Sequence, residues 1–223
     1  MDSSQTTTLA NNPNDPWRGG GIPLGSSYGK LMMWYFLISD TFTFSTLLVV
    51  YGFFRIMSTD WPIPHNVFVD APFFHGVELP LVFVSFMTFV LIASSVTMVL
   101  AVEAGHRNRN DLVSRYLLLT AIGGLIFLSC QAWEWWHLIT QSGATLSNNP
   151  YGDVFFMQIF YAITGFHGLH VFGGVVILFI TYAMSRKGVF QKRGHYEFVE
   201  KVGLYWHFVD LVWIFVFTLL YLI

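Results

Sequence analysis

Asp40, Glu134, His137, His167, His170, His207 and Asp210 all stand inside runs of apolar residues. Burying an ionisable side chain in such a run is costly, so each marks a functional position unless it serves to hold helices together. Glu134 with His137, His167 with His170, and His207 with Asp210 are spaced i, i+3. That spacing puts both members of each pair on one face of a helix. Imidazoles and carboxylates so placed admit three chemistries: axial ligation of a haem or another metal, proton transfer, and hydrogen bonding between helices. Haem ligation wants two histidines facing each other from separate helices at one depth. His137 and His207 lie toward opposite sides of the membrane, and His167 and His170 share a helix, which counts against a cytochrome b-like electron carrier. Transport on a path through Asp40 would call for inverted repeats or broken helices, and the sequence has neither an internal repeat nor a proline beyond the first two residues of any apolar run. Proton handling and helix-to-helix bonding remain side by side.

The elements that must position these groups follow from composition. The chain has 223 residues, 54% hydrophobic and only 11% charged, against about 25% charged in a soluble domain. Mean hydropathy is +0.55. These values describe a polytopic membrane protein. The single cysteine, Cys130, excludes an intrachain disulfide and any cysteine-rich metal site. The net charge of −2 is uninformative by itself, and no basic block suggests nucleic acid as a partner. The opening residues lack the basic and apolar regions of a cleavable signal.

A helix needs about 20 apolar residues to cross a bilayer. Residues 31–54, 79–102, 116–139, 154–184 and 203–223 qualify. The expected architecture is therefore all-α, with an irregular tail over 1–30 and a five-helix transmembrane domain over 31–223. Pro62, Pro64, Pro72 and Pro80 mark the first connection as an exposed loop. Basic residues orient the bundle. With the N-terminus in the cytoplasm and the C-terminus in the periplasm, Arg55 is the only one of the 11 Lys and Arg left outside. Asp40 then lies about 15 Å into the first helix at 1.5 Å per residue, near mid-bilayer and at the depth of His167 and His170. Pairing Asp40 with one of those histidines would satisfy both groups. Gly165, Gly168, Gly173 and Gly174 allow a neighbouring helix to approach closely. The cytoplasmic cluster Arg186, Lys187, Lys192, Arg193 and His195 either binds anionic lipid head groups, at about 1 kcal/mol per charge, or records topology alone.

Read together, "TGFHGLHVFGG" and "YWHFVDLVWIFVFTLLYL", with "MMWYFLISDTFTF", "ELPLVFVSFMTFVLIASSVTM" and "QAWEWWHL" before them, resemble subunit III of the haem–copper respiratory oxidases over almost the whole chain. The likeness is to the bacterial five-helix form, which lacks the first two helices of the larger one. Asp40 stands where many cytochrome c oxidase members carry Glu and some ubiquinol oxidase members carry Asp. The "QAWEWW" and "GFHGLH" segments favour the cytochrome c type, with a quinol oxidase as the alternative. The resemblance implies an accessory subunit of the bacterial inner membrane with no cofactor of its own. Haems and copper would sit in subunits I and II, with subunit I the main contact and a supercomplex possible. It also implies a phospholipid-holding cleft with the first two helices standing apart from the last three. Asp40, His167, His170, Glu134, His207 and Asp210 would then support that cleft or proton uptake.

Overall fold

The computed structural model describes residues 28–68 and 81–223. Arg18, Asp70 and Glu78, with most of the expected tail, lie outside them. Five helices are long and apolar enough to cross a membrane. They are α1 (Tyr28–Met57), α3 (Val82–His106), α4 (Asn110–Thr140), α5 (Val154–Arg186) and α7 (Glu197–Phe217). Helix α7 runs on into a π-helical turn, Thr218–Leu222. Two short helices, α2 (Pro64–Val67) and α6 (Val189–Arg193), sit in connections. There is no strand among the described residues. The chain is thus an all-helical multi-pass membrane protein.

The long helices overrun the apolar windows at several ends. Helix α4 begins six residues earlier than its apolar run, and α1 begins at Tyr28, inside the expected irregular tail. Hydropathy stops at the membrane surface, whereas backbone hydrogen bonding continues until something ends it. At the start of α5 that something is Asp153, whose carboxylate accepts from the Phe155 N–H at 3.0 Å. Gly188 and Gly194, at φ 67° and 73°, bracket α6 in the left-handed region that glycine enters without strain.

Helices α3 and α4 are the most closely packed pair; α5 packs on α4, and α7 packs on both α3 and α5. Trp206 of α7 is the wedge at the centre. Its ring lies against Gly124 of α4 and Gly174 of α5, and its Nε1–H donates to the Ser94 hydroxyl of α3 at 3.1 Å. Trp213 repeats the bond one level along, donating to Thr88 at 2.9 Å. Thr97 and Thr120 bond between α3 and α4 at 2.8 Å. In a bilayer such bonds and close contacts replace the hydrophobic drive that assembles soluble helices.

This arrangement corrects the expected partition of the bundle. Helix α3, the second span, does not stand apart with α1; its hydroxyls bind it to α4 and α7. Helix α1 alone is peripheral, resting on α5 and α7, with 17% of its apolar window buried against 39–50% for the other spans.

Candidate functional site

Asp40 and His170 meet between α1 and α5, with Oδ2 3.3 Å from Nε2 and each side chain about 15% exposed (15% for His170, 14% for Asp40). The other nitrogen of His170, Nδ1, is 2.8 Å from the Phe166 carbonyl. A carbonyl only accepts, so Nδ1 carries a proton. Asp40 Oδ2 makes no hydrogen bond, so the two groups meet at ion-pair distance and not through a shared proton. The Phe44 ring stands edge-on to His170 at 5.4 Å, and the Tyr205 hydroxyl donates to the His170 carbonyl at 2.9 Å. Helices α1, α5 and α7 thus all contribute to this site.

His167, one turn away, does something else. It is 1% exposed, and its Nε2–H donates to the Val209 carbonyl of α7 at 3.2 Å. Its ring lies between Phe127 and Trp213, with centroids 5.7 and 5.0 Å away. The two histidines look to different neighbours because three helical residues separate them by about 60° and 4.5 Å.

The other two pairs do not bond within themselves. Glu134 is buried and accepts from Gln131 at 2.7 Å and from the Tyr221 hydroxyl at 2.8 Å, whereas the His137 ring stacks on Trp133. His207 bonds to the Ser95 hydroxyl at 2.6 Å, and Asp210 lies beside the same serine. The sequence offered no sign of Tyr221 or Ser95 as partners, since hydroxyl residues at helix positions are common. Among the described residues no three His, Cys, Asp or Glu side chains come together as a metal site would require.

Arg186, Lys187, Lys192 and His195 are exposed at the α5–α7 connection, and Arg193 closes α6. A different set of charges lies at one end of an apolar groove. An apolar trough of about 520 Å³ runs between α1 and α7, past Leu37, Phe44, Leu48, Leu211 and Phe215. It shares Leu204 and His207 with a second hollow of about 510 Å³, where α1, α3 and α7 bring Lys30, Glu103, His106 and Glu200 together. Lys30 pairs with Glu200 at 2.5 Å, His106 lies 3.5 Å from Glu200, and Arg107 pairs with Glu103 at 2.7 Å. These residues flank three separate spans, so only their position at helix ends hinted at a cluster.

Five membrane-length helices joined internally by buried polar bonds define a multi-pass helical membrane protein. A sequence model of the family described as cytochrome c oxidase subunit III matches residues 24–223. The chain is 33% identical to cytochrome c oxidase subunit 3 of Synechocystis sp., over 98% of this chain and 87% of the relative. It is 32% identical to that of Alkalihalophilus pseudofirmus, over 86% and 85%, and 28% identical to that of Drosophila melanogaster, over 90% and 70%. The chain belongs to the cytochrome c oxidase subunit III family and hence to an oxidase complex with other subunits.

Proposed function

We propose that this chain is a non-redox accessory subunit of a terminal cytochrome c oxidase in a bacterial inner membrane, where it stabilises subunit I and holds phospholipid. Subunit I is its main contact, subunit II belongs to the same complex, and the haems and copper reside in those partners. The N-terminus is cytoplasmic and the C-terminus periplasmic, a reading supported by the basic connections Arg107–Arg115 and Arg186–Lys201. Cytochrome c as electron donor is supported by the names that the relatives carry.

The observation that carries the accessory role is the Asp40–His170 pair. Its two ionisable groups face each other, 3.3 Å apart across a helix interface. The pair fastens the otherwise peripheral α1 to the bundle. Asp40→Asn keeps a hydrogen-bonding group opposite His170, so the complex should retain nearly its initial rate of oxygen reduction. It should lose activity sooner during sustained turnover. Asp40→Leu, which strands the His170 nitrogen at a cost of about 1–3 kcal/mol, should shorten the working lifetime further. Loss of all turnover in Asp40→Asn with every haem in place would put Asp40 on an obligatory proton path and defeat this assignment. Faster oxidation of a quinol than of cytochrome c by the purified complex would move the chain to the quinol class.

A further inference from the structure

We infer that the outer face formed by α4 and α5 pairs with the same face of a second copy of this chain. This goes beyond the accessory role, because it concerns how two assemblies meet in the membrane. Two observations carry it.

The first is shape. A groove of about 410 Å³ runs between the two helices, with Ala132 on one wall and Gly165 and Gly168 on the other. Gly168 leaves a hole, since a Cβ there would meet nothing within 4 Å. Leu169, the next residue of α5, also lines the groove and is 69% exposed. Two copies in one membrane share an orientation, so a two-fold axis relating them runs along the membrane normal and brings together residues of equal depth. Gly168 and Leu169 differ in depth by only about 1.5 Å. The Leu169 side chain of each copy can therefore fill the Gly168 hole of the other, the close approach that small residues allow between membrane helices.

The second is hydrogen bonding. Gln131 lines the groove and is 5% exposed. Its Nε2 donates to Glu134 at 2.7 Å, but its Oε1 has no partner. Trp135, one turn along α4, lines the same groove, and its Nε1–H has no partner either. An unpaired polar group is costly in hydrocarbon, where no water satisfies it. A lipid tail offers neither donor nor acceptor. A single helix bearing one donor would answer Gln131 and leave Trp135 open. A second copy offers both, because the indole N–H of each can donate to the amide oxygen of the other. Both atoms lie just beneath the groove surface, so pairing turns them outward, a rotamer change common on association.

The test is made in native membranes, with the single cysteine, Cys130, replaced by alanine. Ala132→Cys, on the groove wall, should give a disulfide-linked pair of this chain on mild oxidation. Val96→Cys, 56% exposed on α3, should give none. Gly168→Leu adds bulk to the hole and should abolish the link. Native mass spectrometry of the material solubilised in mild detergent should show assemblies with two copies of the chain in wild type and one in Gly168→Leu. Trp135→Phe keeps a ring in place but removes the N–H. It should weaken the pairing about tenfold, the value of two interhelical hydrogen bonds in a membrane. No link from Ala132→Cys, or a link to a different subunit, would overturn the proposal. So would equal linking from Val96→Cys, one copy per assembly at every concentration, or pairing indifferent to both Gly168→Leu and Trp135→Phe.

Discussion

Gly124→Ala adds one methyl group at the point where four helices converge. A Cβ there would lie 2.6 Å from Cη2 of Trp206 and 2.7 Å from Cγ2 of Val175. Carbon atoms settle at about 3.5–4.0 Å, so roughly 1 Å must be found on both sides. Neither obstacle has room to give. The Trp206 ring is 1% exposed, already touches Gly174, and is tied through Nε1 to Ser94; Val175 is 3% exposed. Overpacking of this kind costs about 1–3 kcal/mol. Alanine also gains about 1 kcal/mol of helix propensity over glycine, which confuses the single measurement but cancels in a comparison. Gly52 and Gly168 provide it, since a Cβ at either meets nothing within 4 Å. The assay is the temperature at which the subunit is lost from the purified complex, for Gly124→Ala, Gly52→Ala and Gly168→Ala. Gly124→Ala should fall below both controls by about 1–3 kcal/mol. At roughly 2–4 °C per kcal/mol for a chain of this size, that is a shift of several degrees. If Gly124→Ala were as stable as the controls, Trp206 would not be the wedge described here. Adding Val175→Ala to Gly124→Ala should recover part of the loss, because it removes one of the two obstructing atoms.

Tyr221→Phe should remove one of the two donors to the buried Glu134 carboxylate and cost about 1–3 kcal/mol; unchanged thermal retention of the subunit would show that Tyr221 does not pin the C-terminal turn. Metal analysis of the separated subunit should find no stoichiometric copper, iron or zinc, and near-unit occupancy of any one would contradict a role without cofactors.

The number of spans and their approximate places could be read directly from the chain, because a bilayer imposes one requirement on every crossing segment: about 20 apolar residues. That Asp40 shares a level with His170 follows from counting along the two helices, since each residue advances the chain by a constant rise. Membership of the family was legible in short runs such as "GFHGLH" and "WHFVD". The choice of His170 over His167 as the partner of Asp40 was not. Both lie at suitable depth, and which one faces α1 depends on how α5 is rotated about its axis. That rotation is set by Trp206 against Gly174 and by the His167 bond to α7. The same holds for Glu134: its i, i+3 neighbour His137 is not its partner, whereas Gln131 on the same helix and Tyr221, 87 residues away, both donate to it. The place of the second span was misjudged for a related reason. The hydroxyls of Thr88, Ser94, Ser95 and Thr97 are ordinary in sequence and become interhelical bonds only when α4 and α7 supply Thr120, Trp206, His207 and Trp213 opposite them. Hydropathy acts on each residue independently and survives without the fold. Azimuth, pairing and the charged mouth of the groove are relations between helices, and they exist only once the helices have packed.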